Sequence, residues 1–377
     1  MSEWKKVSLS EMGIVSRGKS KHRPRNDARL YGGRYPFIQT GDIGAAGLYV
    51  TDYSQTYNEE GLAQSKLWEE NTLCITIAAN IADTALLAFP ACFPDSIMGF
   101  VPYKNVANVK YVKYCFDILK KDCQQISQGT AQDNLSWKKL STIKFPCPPL
   151  EVQNRIAAIL SRYDSLIENY QKQIKLLEEA AQRLYKEWFV DLHFPDHENT
   201  KVIDGVPEGW TPSKLGQLAE FKRGKTITKK DAIEGVIPVV AGGLEPAYYC
   251  NKSNTAERVI TVSGSGANAG FTRMYFENVW ASDCSFVDAS TTPFLHFVYC
   301  YLKDNKTTID NMQKGAAQPH VYAKDINALD LCVPNKNVLK SFENKVSKYF
   351  DTISSLQSQI RLLTESRDRL LPKLMSS

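Results

Sequence analysis

The sequence lacks any long apolar segment, and this absence excludes a membrane-spanning helix. The longest apolar runs, such as residues 85–89, are far shorter than the roughly 18 residues that a bilayer requires. The N-terminus also lacks the apolar region of a secretory signal peptide. The nine cysteines are odd in number and include no C-x-x-C pair, which argues against a disulfide framework and a zinc site. These absences predict a soluble cytoplasmic protein with reduced thiols.

An excess of charge of one sign is also missing. The 46 basic residues are nearly balanced by 41 acidic residues, and the net charge is only +5. The total charge therefore indicates no particular partner. With 377 residues, 43% of them hydrophobic and 23% charged, the chain has the composition of a folded protein with enough length for two domains.

A heptad pattern runs through residues 151–188. Steps of four and three alternate between its apolar positions, which keeps one stripe of a long helix against a partner helix. The stripe consists of Ile156, Leu160, Tyr163, Ile167, Tyr170, Ile174, Leu177, Ala181, Leu184 and Trp188. It recurs 186 positions later (342 − 156) at Phe342, Val346, Tyr349, Ile353, Leu356, Ile360, Leu363, Arg367, Leu370 and Leu374. We predict two long helices packed against each other, the second ending or fraying near Arg367 and Pro372.

The repeat extends beyond these helices. Trp4, Leu9 and the Arg-Gly-Lys triplet at 17–19 match Trp210, Leu215 and the triplet at 223–225 at an offset of 206 (210 − 4). Residues 128–132 match 314–318 at the offset of 186 (314 − 128), whereas the segments between these matches differ. The pattern predicts two related modules, each followed by one long helix.

Each module has the local patterns of a mixed α and β structure. Residues 72–78 and 258–263 are β-branched runs that predict buried strands. Residues 109–121 and 293–303 predict short helices, and residues 9–12 a weak strand. Between the modules, residues 194–199 are polar and contain a proline, as is typical of a linker.

Both modules carry a cluster of basic residues near their start. Residues 17–34 contain seven basic residues and one acid, a charge of 7 − 1 = +6, and five of residues 222–230 are basic with no acid among them. A single run of this kind is often only a solvated loop. Two runs at matched positions favour contact with phosphate oxygens.

Three other motifs have alternative interpretations. Residues 13–20 satisfy the phosphate-loop pattern G-x-x-x-x-G-K-S. A true phosphate loop joins a buried strand to a helix, but residues 13–20 are not predicted to lie between such elements, which argues against nucleotide binding. Residues 264–270 are glycine-rich, follow a strand and are similar to a dinucleotide-binding fingerprint, but they have one residue too many, and a strand rather than a helix is predicted after them. They are either a glycine-rich turn or a backbone loop that lies close to nucleic acid. His193 and His197 are separated by Pro195, which prevents a common helical face for a metal. A nucleotide-dependent enzyme and a coiled-coil scaffold that binds protein or RNA remain as alternative functions.

Residues 148–160 and 177–189 resemble the conserved helical region of the specificity (S) subunit of type I restriction-modification systems. Further similarity lies in residues 209–210, 215–216, 262–270, 315–322 and 325–326. The resemblance implies an α+β fold with an internal pseudo-two-fold repeat, in which two mixed α/β target recognition domains are separated by two long antiparallel coiled-coil helices. The implied boundaries are 1–149 and 195–335 for the domains, and 150–194 and 336–377 for the spacer helices.

The resemblance also implies a function. Each target recognition domain would read one half of a bipartite DNA site, and the divergent modules predict that this site is asymmetric. The helices would set the spacing and dock two methyltransferase (M) subunits, which use S-adenosylmethionine to methylate adenine, while restriction (R) subunits would use ATP and Mg for cleavage. The chain itself would be non-catalytic, with no cofactor or metal of its own. Thirty-eight helical residues give roughly 57 Å, which is compatible with half-sites about 34 Å apart.

The candidate DNA-binding residues fall into two groups. Basic side chains should set the register on the phosphate backbone, and we assign this role to Arg17, Lys19, Lys21, Arg23, Arg25, Lys222, Arg223, Lys225 and Lys229. Amide, hydroxyl and guanidinium groups can read base edges in the major groove, and the candidates are Gln39, Asn80, Ser263, Ser265, Asn268 and Arg273. Turn stabilisation is the alternative role for Asn80 and Asn268.

Overall fold

The computed structural model of the protein describes residues 4–78, 80–127, 135–313 and 319–376. The chain divides into two compact units, which we call unit 1 (residues 1–171 and 358–377) and unit 2 (residues 172–357). Each unit therefore contains one module together with part of each long helix. The predicted match between residues 128–132 and 314–318 lies outside the described residues, and the linear domain boundaries remain a prediction.

The two long helices are Leu150–Phe189 and Lys336–Met375, each of 40 residues. The predicted uninterrupted helix at residues 151–188 is thus confirmed. The expectation that the second helix ends near Arg367 and Pro372 is wrong, because it continues to Met375. A proline so near the end removes only one helical hydrogen bond, and the buried side chains of Leu371 and Met375 hold the turns on both sides of it.

Contacts within each unit show that the helices pair in opposite directions. In unit 1, Ile156 and Leu160 near the start of the first helix share a core cluster with Leu371 and Met375 at the end of the second. In unit 2, the late residue Trp188 of the first helix meets the early residue Phe342 of the second, with ring centroids 5.9 Å apart. This is the antiparallel coiled-coil arrangement.

The seam residues face the interior as the heptad pattern predicts. The buried members are Ile156, Leu160, Ala181, Trp188, Phe342, Val346, Ile353 and Leu356, and the half-buried members are Tyr163, Ile167, Tyr170, Ile174, Leu177, Leu184, Tyr349, Ile360, Leu363, Arg367, Leu370 and Leu374. Near the end of the second helix, Leu371 and Met375 are more deeply buried than their neighbours Leu370 and Leu374. The stripe shifts there because a helix of 3.6 residues per turn drifts from a seven-residue repeat.

The module of unit 1 is built from short strands and mostly short helices. Its strands are Lys5–Val7, Gly13–Arg17, Tyr31–Phe37, Tyr49–Val50, Gln55–Tyr57, Leu67–Trp68, Leu73–Thr76, Thr84–Leu87, Ala91–Cys92, Ile97–Pro102 and Phe145–Cys147. Its helices are Leu9–Met12, Thr40–Ala45, Glu59–Ala63, Val109–Ser127 and Trp137–Leu140, with a 3-10 turn at Ala28–Leu30. The predicted helix at 109–121 is confirmed and extends further.

The module of unit 2 has a similar set of elements. Its strands are Val202–Ile203, Val206–Pro207, Thr211–Lys214, Lys222–Arg223, Ile237–Val240, Tyr248–Cys250, Val259–Ser263, Thr272–Tyr275, Trp280–Ala281, Cys284–Asp288 and Asp330–Val333. Its helices are Leu215–Leu218, Leu295–Asp304, Lys306–Asn311 and Ala323–Asn327, with 3-10 turns at His197–Asn199 and Gly266–Asn268. Both strands predicted from β-branched runs are present.

Sheet topology confirms the internal repeat. In unit 1, the strands follow the order Gly13–Arg17, Ile97–Pro102, Leu73–Thr76, Thr84–Leu87 and Tyr49–Val50. In unit 2, they follow the order Lys222–Arg223, Cys284–Asp288, Val259–Ser263 and Thr272–Tyr275. The first four strands of unit 1 and the four strands of unit 2 therefore occupy matching places, and each matching pair of neighbours is antiparallel.

One local prediction is wrong. Residues 9–12 form a short helix, Leu9–Met12, rather than a weak strand. Glu11 stabilises the start of this helix, because its carboxylate accepts a hydrogen bond from the backbone N–H of the N-cap residue Ser8 at 2.7 Å, and Leu9 and Met12 face the core. The capping pair outweighs the weak strand pattern. In the part of the chain that the structure describes, no helix has the length and apolar character needed to cross a membrane.

Candidate nucleic-acid interface

A tight turn carries Arg17 and Lys19 in unit 1. Arg17 ends the strand Gly13–Arg17 and pairs with Met98. The Gly18 N–H donates to the Ile97 carbonyl at 2.8 Å, and the Lys19 N–H donates to the Phe93 carbonyl at 3.0 Å. A Cβ atom at Gly18 would lie 2.3 Å from the Pro94 carbonyl oxygen, so glycine is required. Arg17 and Lys19 are exposed on either side of it.

Unit 2 contains the same turn. Arg223 pairs with Ser285, the Gly224 N–H donates to the Cys284 carbonyl at 2.8 Å, and the Lys225 N–H donates to the Ala281 carbonyl at 2.9 Å. A Cβ atom at Gly224 would lie 2.4 Å from the Ser282 carbonyl oxygen. We call the two features the Arg-Gly-Lys turns. Their common geometry confirms that the basic runs begin at the same structural position in both modules.

The Arg-Gly-Lys turns are suited to phosphate contacts. Each turn displays two exposed cations. Its backbone is hydrogen-bonded to the neighbouring strand and to the residues that immediately precede that strand. Cations on a fixed backbone can set the register of a protein on a duplex, since contacts with phosphates position without reading sequence. Lys222 and Lys229 in unit 2 and Lys21 in unit 1 are also exposed, and none of these three has an acidic partner among the described residues.

Some of the basic residues in the run of unit 1 are paired with acidic residues in the folded structure. Arg25 Nη2 lies 2.5 Å from Asp95 Oδ1, with Arg23 Nη2 3.9 Å from the same carboxylate. Arg29 pairs with Asp27 at 2.8 Å, and its hydrogen bond lowers the pKa of the Asp27 carboxyl well below its usual range. Arg34 pairs with Glu59 at 3.1 Å. The charge of +6 counted along the chain is therefore partly neutralised by Asp95 and Glu59, which lie outside that window.

Three candidate base readers occupy turns or helix starts. Gln39 precedes the helix Thr40–Ala45, and its side-chain N–H donates to Gln55 Oε1 at 2.7 Å. The Asn80 carbonyl accepts a hydrogen bond from the Thr76 hydroxyl. The Asn268 carbonyl accepts one from the Phe271 N–H at 2.9 Å. The backbones of Asn80 and Asn268 therefore stabilise turns, while their assignment as base readers remains a prediction.

The other three candidate base readers differ in how free their side chains are to contact a base. Ser263 is only 4% exposed within its strand, which removes it from the surface and corrects its assignment as a base reader. Arg273 donates to the Leu244 carbonyl at 2.8 Å and to Glu245 Oε1 at 3.3 Å, so part of its guanidinium is already bound. The Ser265 hydroxyl is hydrogen-bonded to the Asp283 carboxylate. Asp283 was not predicted from the sequence, because nothing nearby distinguishes it from an ordinary turn residue.

The segment that satisfies the phosphate-loop pattern has a different structure. Residues 13–17 form a strand, and Gly13 packs so closely against the neighbouring strand Ile97–Pro102 that a Cβ atom would be 2.3 Å from the Val101 carbonyl oxygen. The next helical element after Ser20 is the 3-10 turn Ala28–Leu30. The strand-to-helix junction that a nucleotide phosphate site needs is therefore not formed here.

Comparison with known proteins agrees with this geometry. The family model described as the type I restriction modification DNA specificity domain matches residues 1–179 and again residues 207–367. The chain belongs to this family. Each match contains one of the two modules that share sheet order and the Arg-Gly-Lys turn and extends into the long helix that follows it, and together the matches cover most of the sequence.

Individual relatives lead to the same family. The chain is 26% identical to the type I restriction enzyme MjaIX specificity subunit of Methanocaldococcus jannaschii, over 99% of this chain and 93% of that protein. It is 22% identical to the HindI specificity subunit of Haemophilus influenzae, over 100% and 99% of the two proteins. The crystal structure of the S subunit of a type I restriction-modification system from M. genitalium has the same fold, with a TM-score of 0.63, 17% identity, and coverage of 100% and 96%.

Membership in the family decides between the functional alternatives. The protein is a specificity subunit of a type I restriction-modification system, and its function is DNA recognition. A scaffold that binds only protein or RNA is therefore excluded.

Proposed function

We propose that each unit reads one half of an asymmetric bipartite DNA site. The observation that carries this proposal is the repetition of the Arg-Gly-Lys turn on the same sheet edge in two modules whose other residues differ. The lysines of the equivalent turns supply equivalent phosphate contacts, and the side chains around them read different bases. Two unlike half-sites follow from one duplicated scaffold.

The long helices are proposed to set the spacing between the half-sites. Each has 40 residues, which corresponds to about 60 Å of helix. Buried seam residues pair the helices in both units, and bending them apart would expose side chains that each contribute about 1.5 to 3 kcal/mol when fully buried. A paired helix of this kind is stiff enough to act as a spacer, and half-sites about one duplex turn, or roughly 34 Å, apart are expected.

The outer faces of the helices support the docking of M subunits. Leu166, Leu176 and Leu362 are 43%, 63% and 59% exposed, respectively. In unit 2, Leu176, Leu184 and Tyr349 help to line a surface groove of about 290 Å³. Exposed apolar side chains of this size are common where another protein binds. The names of the relatives, which describe subunits of restriction enzymes, support R subunits as further partners.

In this proposal the chain contributes recognition and positioning, while its partners perform the chemistry. The M subunits would bind S-adenosylmethionine and methylate adenine, and the R subunits would bind ATP and Mg. All nine cysteines are free thiols, a state that fits a reducing cytoplasm.

Methylome sequencing tests the proposal directly. A host lacking other methyltransferases would express the full chain with its own M subunit, and the M subunit alone would serve as the control. We expect adenine methylation at two different short sequences separated by a spacer of constant length, and none with the M subunit alone. Methylation at one contiguous sequence, or methylation that does not depend on the chain, would contradict the proposal.

A further inference from the structure

A polar pocket of about 390 Å³ lies beside the Arg-Gly-Lys turn of unit 2. Its lining comes from Arg223, from residues 264–265 and 283–285, and from residues 320–323. The Gly264 N–H donates to the Asp283 carbonyl at 3.1 Å, and the Val321 N–H donates to the Gly264 carbonyl at 3.1 Å. Backbone hydrogen bonds thus join the separate segments, and the pocket is preorganised for a ligand.

Asp283 offers the pocket an acceptor. Its side chain is half-buried, and one carboxylate oxygen, Oδ2, accepts a hydrogen bond from the Ser265 hydroxyl. No lysine or arginine of the described residues forms an ion pair with it. A carboxylate has about four acceptor positions, so Asp283 retains capacity for a donor from outside the protein.

Arg223 offers the same pocket a donor. Its side chain is exposed and forms no ion pair with Asp283 or with any other acid in the described part of the chain. The guanidinium is a planar group with five N–H donors and can bind two acceptors at once. The pocket therefore combines a two-pronged donor with a separate carboxylate.

Among the described residues of unit 1, the corresponding carboxylate is not free. There, Asp95 precedes the strand Ile97–Pro102 much as Asp283 precedes the strand Cys284–Asp288, but Asp95 is paired with Arg25 at 2.5 Å. In unit 2 the carboxylate is not neutralised. A free carboxylate beside the cations of the turn weakens attraction to phosphates, so its position is explained better by a specific hydrogen-bond donor on the DNA.

We propose that Arg223 and Asp283 together read one G·C base pair in the half-site of unit 2. In the major groove guanine presents two acceptors, N7 and O6, and cytosine presents a donor, the N4 amino group. Arg223 binds the guanine acceptors, Asp283 accepts from the cytosine amino group, and Ser265 is a positioning residue that orients the carboxylate. An A·T pair has no base with two acceptors for the guanidinium. This inference rests on the proposed reading of one half-site by unit 2.

Selection from a random duplex library tests this assignment, using the full chain assembled with its own M subunit. Asp283→Asn keeps the side-chain shape but replaces one acceptor oxygen with a donor nitrogen. It should lower the preference for one G·C pair in one half-site about tenfold or more. Arg223→Lys should lower the preference at the same base pair, because lysine keeps the charge and loses the two-pronged geometry. The other half-site should keep its sequence.

Two matched variants serve as controls. Lys225→Ala removes a cation from the same turn. It should weaken binding to all duplexes by the same factor without changing the base preference. Asp95→Asn in unit 1 should leave the half-site of unit 2 unchanged. If the wild type selects a bipartite site and both Asp283→Asn and Arg223→Lys keep every base preference, the inference is wrong and the proposed function stands. If the wild type selects no bipartite site, the proposed function itself fails.

Discussion

Units 1 and 2 use different chemistry at corresponding positions of the helical seam. The repeat equates Asp164 with Phe350 (350 − 164 = 186) and Arg367 with Ala181 (367 − 181 = 186). In unit 1, Arg367 Nη1 lies 2.6 Å from Asp164 Oδ1, and the Tyr114 hydroxyl donates to the other carboxylate oxygen. In unit 2, Phe350 and Ala181 are each 1% exposed within an apolar cluster. Corresponding seam positions therefore hold an ion pair in one unit and two buried apolar residues in the other.

We expect the ion pair to contribute specificity to the seam rather than extra stability. Burial is the largest single influence and lowers the pKa of Arg367, but the hydrogen bonds and charge attraction of Asp164 and Asp368 together raise it by more, and the net pKa is above the ordinary value. A buried ion pair is rarely more stabilising than a well-packed apolar pair, whereas one buried charge without its partner is costly. A second copy of the first helix would place Ala181 where Arg367 stands and would leave Asp164 unpaired. The difference favours the pairing of unlike helices.

The largest expected effect comes from removing one member of the ion pair. Arg367→Ala leaves Asp164, which is 5% exposed, without its cation. We expect the free energy of unfolding to fall by about 3 kcal/mol, the lower end of the range for a broken buried pair. Chemical denaturation of the full chain measures the change, and a loss below about 1 kcal/mol would contradict a structural role for the pair.

A matched variant transfers the chemistry of unit 2 to unit 1. Combining Asp164→Phe, Arg367→Ala and Tyr114→Phe removes both charges and the hydroxyl that would otherwise be left unsatisfied. Since apolar replacement of a buried ion pair is often neutral, this triple variant should regain most of the stability that Arg367→Ala loses. A triple variant as unstable as the single one would show that the seam position requires charge.

A smaller effect separates the free and neutralised cations of unit 1. Lys19 has no acidic partner in the described chain, whereas Arg25 is bound to Asp95 at 2.5 Å. Lys19→Ala should reduce the slope of log affinity against log salt by about 0.9, the value for one lost phosphate contact. Arg25→Ala should leave the slope nearly unchanged. Equal slopes for the two variants, measured by titration of one duplex at several salt concentrations, would contradict this distinction.

Periodic and repeated features of the fold could be predicted from the sequence. The heptad spacing located both helices and their buried faces, because the apolar residues of a coiled-coil seam recur at regular intervals within one continuous segment. The matched triplets at 17–19 and 223–225 located the Arg-Gly-Lys turns, since a glycine between two basic residues was retained in modules that otherwise differ. The β-branched runs located the central strands of both sheets.

Features that depend on distant contacts could not be predicted. Arg367 meets Asp164 across 203 residues, and Arg25 meets Asp95 across 70. Neither pairing leaves a local pattern, so Arg367 was interpreted as a break in the helix and Arg25 as a free cation. Ser263 was misassigned because every residue of its strand is buried, and alternation could not distinguish an exposed face. The pocket at Asp283 combines three separate segments for the same reason.

Footprinting of the full chain with its M subunit on one duplex that contains the selected site tests the central claim most directly. The claim is that two equivalent turns on unlike units contact separate half-sites. We predict that Lys19→Ala weakens protection of one half-site, that Lys225→Ala weakens protection of the other, and that each leaves the remaining half-site protected. If both variants weaken the same half-site, or both weaken the whole footprint equally, the claim is contradicted.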